Sequence, residues 1–318
     1  MFKLKDSCKT TFLPAQVGVG IQAGAESAIH TCRKFIKASH ANPKILLKVD
    51  FSNAFNNIRR DVMLKELRKR NPEFYPMIYQ AYSTGSNLLF GNEIILSLSG
   101  AQQGDVLGPY LFSLSIQNLI HDLKSELNVW YLDDGSLAGD PKLVLEDFKS
   151  IINYGKDLGL SLNTAKCEIF MMNALYEDNK LVIDEFKSLA PDIKFINPSD
   201  LTILGSPILE DSFIPTLSSK LSELKLMINR IKNLDSHDAF FLLKNVLAIP
   251  KILFFLRSAP LYTCQFLNEF DHAIKKGLEF ICNIAINENI WMQLTLPVKF
   301  GGMGIRSFQK IALPAFIS

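Results

Sequence analysis

The chain has 318 residues, 48% of them apolar, with 34 Lys and Arg against 32 Asp and Glu and a formal net charge of +2. That length allows one large domain or two ordinary ones with a substantial core, and the composition excludes a disordered or strongly acidic chain. With charge so evenly balanced, any surface for nucleic acid must be local.

Residues 1–24 carry Pro14, Gly18, Gly20 and Gly24 and read as an irregular opening without the apolar stretch of a secretory signal. Cys8, Cys32, Cys167, Cys264 and Cys282 are widely spaced, odd in number and lack a C-x-x-C pair. Neither a disulfide framework nor a zinc site is expected, and a reducing compartment is. A helix is expected over 26–38, with Ala28, Cys32, Phe35 and Ile36 on one side. Its abrupt start, with no capping element before it, leads to the expectation of a missing N-terminal portion.

Residues 45–51 form an apolar run that suits a buried strand carrying Asp50 near its end. The next helix, 61–70, has Val62, Leu64 and Leu67 apolar and a basic cluster around it. That cluster is either a solvated helix face or a contact for backbone phosphates through Arg59, Arg60, Arg68 and Lys69. A second helical piece runs to about residue 81, and 87–98 alternates as a hairpin with Gly91-Asn92 as its turn. Pro109 suits the first position of a helix in which Phe112, Ile116, Leu119, Ile120, Leu123 and Leu127 recur at helical spacing.

Residues 128–132 lead as a strand to an acidic tip, and 136–138 return from it. An amphipathic helix over 141–158 ends at Gly159, and a strand follows over 166–172. This order fits an antiparallel sheet with helices on one face. Beyond a short strand and turn at 201–205 the pattern becomes helical, over 215–231, 237–249 and 266–286. The expected division is 1–44 as an approach segment, 45–210 as the sheet domain and 211–318 as a helical domain. The apolar run 245–262 is broken by Pro250, Lys251, Arg257 and Pro260, so it reads as a buried helix pair and not a membrane span.

The acids carry the chemistry. Neighbouring strands lie about 4.8 Å apart, so Asp50 and the Asp133-Asp134 pair would converge if their strands are adjacent. Two divalent ions about 3.5–4 Å apart, held by hard oxygen ligands, would then serve phosphoryl transfer. The plainer alternative is that Asp133-Asp134-Gly135 is a hairpin turn, since Asp-Gly favours one. Phe55 would clash with a 2′-hydroxyl beneath an incoming sugar, or else is core. Gln103-Gly104 lets backbone approach a nucleotide, and Lys166 is placed as a proton donor or is merely exposed. Gly301-Gly302-Met303-Gly304 has no Lys-Ser or Lys-Thr after it and reads as a tight turn. His30, His40, His121, His237 and His272 lack metal spacing.

Together these stretches carry a resemblance. Lys48-Val49-Asp50-Phe51-Ser52-Asn53-Ala54-Phe55-Asn56 looks like motif A of retroelement reverse transcriptases, and residues 100–112 (GAQQGDVLGPYLF) resemble motif B. Tyr131-Leu132-Asp133-Asp134 is similar to the Y-x-D-D of motif C, residues 159–167 to motif D and Leu204-Gly205 to motif E. Five motifs in this order are specific as a set. They span roughly residues 12 to 210 and are closest to elements lacking long terminal repeats.

The resemblance implies an α+β fold: a right-hand polymerase palm, with an antiparallel sheet and helices on one face, followed by an all-helical thumb-like region. It implies an RNA-directed DNA polymerase using two Mg²⁺ ions, with Mn²⁺ as substitute. An RNA template, a DNA primer and a dNTP are the implied partners. The implied setting is intracellular, in nucleus or cytoplasm, with no membrane. Asp50, Asp133 and Asp134 fall on the metal-site acids, with Asp134 the less direct ligand. Phe55 falls on the sugar gate, with Phe51 beside it in the nucleotide site. Gln103 and Gly104 fall on the nucleotide and template contact, and Lys166 on the motif D lysine. Gly108 stands where many relatives have Ser. The fingers, expected before residue 12, are reduced to a remnant, so a palm and thumb from a longer polyprotein are expected. The rival readings are a non-catalytic relic that binds nucleic acid through the basic helix, and an RNA-dependent RNA polymerase. Phe55 disfavours the latter, which needs a polar group there to accept a 2′-hydroxyl.

Overall fold

A computed structural model describes residues 5–38, 42–102, 104–173 and 179–318. The chain divides into two units, Met1–Ile196 and Asn197–Ser318.

In the first unit the elements run α1 (Lys5–Phe12), α2 (Gly24–Lys37), β1 (Lys44–Val49), α3 (Ala54–Asn57), α4 (Arg60–Arg70) and α5 (Tyr75–Tyr82). The hairpin β2 (Ser86–Phe90) and β3 (Glu93–Ser97) follows, then α6 (Gly108–Asp122), β4 (Leu127–Tyr131) and β5 (Asp134–Gly139). The unit ends with α7 (Pro141–Asp157), β6 (Glu168–Met172), α8 (Lys180–Leu189) and β7 (Lys194–Ile196). The main sheet has the order β4-β5-β1-β6-β7, antiparallel except for the β6–β7 pair.

Strand alternation sends Ile45, Leu47 and Val49 of β1 to one face, where they join Phe112, Ile116 and Ile120 of α6 and Val144, Phe148 and Ile151 of α7. On the opposite face Leu46 is also buried, and Cys32 of α2 reaches Ser136 of β5. Helix cover therefore extends beyond the single face expected, because that second face is itself partly apolar. Helix α6 is buried nearly all round: Tyr110, Leu111 and Leu114 belong to a second cluster with Phe12, Met63, Leu67 and Ile78. The side chain of Asp140 caps α7 by accepting from the N–H groups of Lys142 and Leu143, with Pro141 at the first turn.

The opening segment belongs to this unit and not to a separate piece. Trp130 N–H donates to Ala15 O (2.7 Å) and Val17 N–H to Trp130 O (2.8 Å), so residues 15–17 lie alongside β4.

The second unit begins with the two-stranded β8 (Thr202–Ile203) and β9 (Ser206–Pro207) and continues through α9 (Phe213–Ile231), α10 (Ser236–Leu242), a π turn (Leu243–Leu247) and α11 (Ile249–Ser258). Helices α12 (Leu267–Cys282), α13 (Glu288–Thr295) and α14 (Phe308–Ile317) complete it. Its core joins Leu217, Leu224, Leu243, Leu256, Phe270, Ile274 and Phe308. The expected boundary after residue 210 differs from the observed division after Ile196. Lys194–Ile196 is the last strand of the main sheet, whereas β8 and β9 pair only with each other. The run Ser236–Ser258 is long and apolar enough to cross a membrane by length and composition, yet Leu243, Leu247, Ile252 and Leu256 from it enter this core.

Candidate active site

β1 pairs Val49 with Gly135, so Asp50, one residue on, lies beside the start of β5 at Asp134. β4 pairs Tyr131 with Asp134, which leaves Leu132 and Asp133 as the entire turn. The hairpin turn weighed as an alternative is present but sits one residue earlier than Asp-Gly, at Leu132-Asp133, since Asp134 and Gly135 already belong to β5. Gly135 serves clearance: a Cβ there would stand 2.7 Å from Cη2 of Trp130.

The turn is strained and clamped. Leu132 has φ +58°, a left-handed conformation that costs an ordinary residue about 1–2 kcal/mol. Gln16, with no exposed surface, holds it from both sides. Its Oε1 accepts from Leu132 N–H (2.8 Å) and Gly18 N–H (2.9 Å), and its Nε2 donates to Leu132 O (2.9 Å). A Cβ at Gly18 would stand 2.5 Å from Leu132 N, so glycine is what permits the approach. Sequence reading missed Gln16. Its partner lies 116 residues away, so no local period marks it; the only signal is an amide side chain between Pro14 and Gly18 in an irregular stretch.

The three acids act on one another. Burial, and then the charge of Asp50, raises the Asp133 carboxyl, while Lys166 opposes the rise. Burial at its base, then Asp133 and Asp50, pushes Asp134 up to about 6, although its side chain reaches solvent. Asp50 Oδ2 is buried and accepts no hydrogen bond among the described residues. Lys166 Nζ lies 3.8 Å from that oxygen. The loop bearing Lys166 is tied to the same strand end, where Asn163 N–H donates to Asp50 O (2.9 Å) and Phe51 bridges Leu162. No three His, Cys, Asp or Glu side chains among the described residues form a ready-made metal cage.

Other expected positions divide. The half-buried Phe55 ring stacks on Phe112 at 4.5 Å and 16°. Phe51 is 3% exposed and stacks 6.2 Å from Trp130, so its side chain is core and not part of a nucleotide site. Gly104 has φ +92° with open space where a Cβ would project, which suits close approach by a ligand; Gln103 lies outside the described residues. Arg60 is a correction. It is 8% exposed, and its guanidinium donates to Gly100 O (3.0 Å), Ser97 O (2.9 Å) and Ser97 Oγ (2.9 Å), so it is turned inward to backbone and not out to a phosphate. Arg59 is engaged by Asp61 at 2.6 Å, whereas Arg68 and Lys69 are exposed on α4.

An antiparallel sheet that gathers three carboxylates and a lysine at adjacent strand ends has the layout of a nucleotidyl-transfer palm. Residues 5–208 match the family described as reverse transcriptase (RNA-dependent DNA polymerase). The chain belongs to that family. The retrotransposable element SLACS 132 kDa protein of Trypanosoma brucei gambiense is 24% identical over 306 residues, covering 92% of this chain and 25% of that protein. The chain thus spans a quarter of the length of this curated relative. A structure of telomerase from Candida albicans, in complex with a TWJ fragment of telomeric RNA, is similar at 12% identity and a TM-score of 0.44, covering 98% of this chain and 51% of that one.

Proposed function

We propose that the first unit is the catalytic palm of a polymerase that copies an RNA template into DNA from a primer 3′-hydroxyl and dNTPs, inside the cell in nucleus or cytoplasm. The observation that carries this is the cluster at the strand ends: the buried Oδ2 of Asp50 accepts no hydrogen bond among the described residues and has the Lys166 ammonium at 3.8 Å, with the Asp133-Asp134 pair beside it. One ammonium set against three neighbouring carboxylates leaves negative charge for a further cation to meet. Mg²⁺ is commonly held by one or two carboxylates and completed by water and substrate phosphates, so a full protein cage is not required. Asp50, Asp133 and Asp134 fit that role, and Mn²⁺ would serve with the same ligands. When bound, the two ions would supply a lowered hydroxyl pKa at the primer end and charge neutralisation at the departing pyrophosphate.

The chain's own residues do the rest. Lys166 holds its ammonium next to Asp50 and is placed to give a proton to the leaving pyrophosphate. Phe55, braced by Phe112, would stand against the sugar and exclude a 2′-hydroxyl. Gly104 leaves room for the nucleotide beside the motif B helix. Gln16 fixes the turn that aims Asp133.

Primer extension on a primed RNA template by the chain tests the reading. Asp133→Ala should reduce it by at least about a thousandfold, in line with losing a principal source of transition-state charge stabilisation. Undiminished extension by that variant would remove the assignment.

A further inference from the structure

No side chain of the β2–β3 hairpin enters either core cluster of the first unit. The register puts Leu88, Phe90 and Ile95 on one face and Leu89, Ile94 and Leu96 on the other, each at least half exposed. Among the described residues, β2 and β3 pair only with each other. A two-stranded sheet that is apolar on both faces lacks the third strand or the packed face that independent stability requires. Together these side chains offer on the order of 700 Å² of apolar surface, close to the ~800 Å² that each partner gives to a standard interface. The segment 86–98 holds a single ionisable side chain, Glu93, beside the turn. Glu93 makes no ion pair among the described residues, and neither does Arg60, whose guanidinium is bonded to Ser97 at the far end of β3.

We propose that a second copy of this chain docks antiparallel on the open edge of β3, giving a symmetric four-stranded sheet with its two-fold axis at Ile95. The hydrogen-bond phase fits that centre. Gly91, at φ +60°, opens a two-residue turn that closes on Phe90 and Glu93, so hydrogen-bonded pairs recur at Leu88–Ile95 and Ser86–Ser97. The backbone N–H and C=O of Ile94 and Leu96 therefore point to the open side. Centring on Ile95 sets Ile94 of each copy against Leu96 of the other, which satisfies those groups reciprocally. Each apolar face then runs unbroken across the dimer. The charges fit as well: the antiparallel arrangement brings the Glu93 tip of one copy alongside the Arg60 end of the other and keeps the two acids apart. The β2 edge is the poorer choice, because centring on Leu88 would set Phe90 against Ser86, whose hydroxyl already accepts from Gln102 Nε2 (2.8 Å). Nothing in this proposal rests on the polymerase reading.

Sedimentation velocity of the full chain tests the assembly, and cysteine pairing tests its register. The wild type should be dimeric at about 50 μM, since standard-size interfaces hold at micromolar concentrations or below. Ile95→Lys sets two ammonium groups opposite each other at the axis and should weaken the dimer by at least about tenfold. Ile95 is 50% exposed, so the variant monomer should melt like the wild type. Should it not, Glu93→Lys, a fully solvated position, should weaken the dimer by about fivefold through charge alone. For the register, Cys264 and Cys282, the two cysteines that are not buried, are first replaced by Ser. In that background Ile95→Cys should give a disulfide-linked dimer on oxidation, because residues facing across a non-hydrogen-bonded pair have Cα atoms about 4.5 Å apart. Ile94→Cys should give about fivefold less, because its twin lies diagonally, about 7–8 Å away. A wild type that stays monomeric at that concentration, a dimer indifferent to the folded Lys variant, or equal disulfide yields at positions 94 and 95 would overturn the proposal.

Discussion

At the scale of single residues, the acids and the clamp beneath them make separate predictions. A carboxyl whose pKa lies above its ordinary value holds its proton more tightly in the folded state than in the unfolded one. For Asp134 the ordinary value is 3.8 and the folded one about 6. Its contribution is therefore neutral below the lower figure, turns unfavourable as pH rises between the two and stays so above the upper one. Asp134→Asn should raise the melting temperature at about pH 7 and leave it unchanged near the lower figure. Because the side chain reaches solvent, the gain should be only about 1–2 °C. Added Mg²⁺ should reverse the order, stabilising the wild type by about 1.4 kcal/mol at tenfold excess over its dissociation constant and the variant by less. Calorimetry across pH, with and without Mg²⁺, checks both, and a wild type indifferent to Mg²⁺ would remove the metal assignment. The clamp is tested by Gln16→Leu, which leaves both backbone groups of Leu132 unpaired. It should cost about 2–4 kcal/mol in urea unfolding. It should also blunt the Mg²⁺ response more than Leu119→Ala, an equally disruptive cavity remote from the turn.

Among the elements, the β2–β3 hairpin is the least self-sufficient. Leu89, Phe90, Ile94 and Leu96 are 79%, 74%, 63% and 59% exposed, on a sheet of only two strands, and such a sheet is marginal in water. What anchors it is Arg60 at its base, which also lies 5.3 Å over the Tyr82 ring. An exposed apolar ribbon with open edges invites self-association. Replacing Leu89 and Phe90 together by Thr should lower the self-association seen by light scattering and change unfolding stability by under about 0.5 kcal/mol; unchanged scattering would show that another surface is responsible. The hairpin itself was legible from alternation around Gly91-Asn92 because it follows from a local strand pattern; local patterns gave the strand ends at Asp50 and Asp133, but that β1 and β5 are neighbours came only with the order of the motifs. The inward turn of Arg60 was legible too: residues 60, 63, 64 and 67 share one helical face, but the basic cluster drew attention to charge and away from period. Gln16 and the burial of Phe51 were not legible, since each depends on a partner far along the chain and leaves no trace in a window of neighbours.

For the molecule as a whole, the distribution of buried side chains decides what can fold alone. The two clusters around the main sheet draw every member from the first unit, from Cys8 to Phe195, and the third draws every member from Phe213 to Ala315. Each unit is within the size range of an independent domain, about 50–250 residues, and has its own core. The carboxylates, Lys166 and Gln16 all lie in the first. Residues 1–196 expressed alone should therefore unfold in one cooperative transition and keep the Mg²⁺-dependent rise in melting temperature. Residues 197–318 should be helical by circular dichroism and indifferent to Mg²⁺. A first unit that binds a hydrophobic dye and melts without a transition would mean that its core needs support these clusters do not supply. A first unit that folds but loses the Mg²⁺ response would move a ligand of the ion outside it. Only cooperative melting together with a retained Mg²⁺ response places both the fold and the acid centre within the sheet and its own helices.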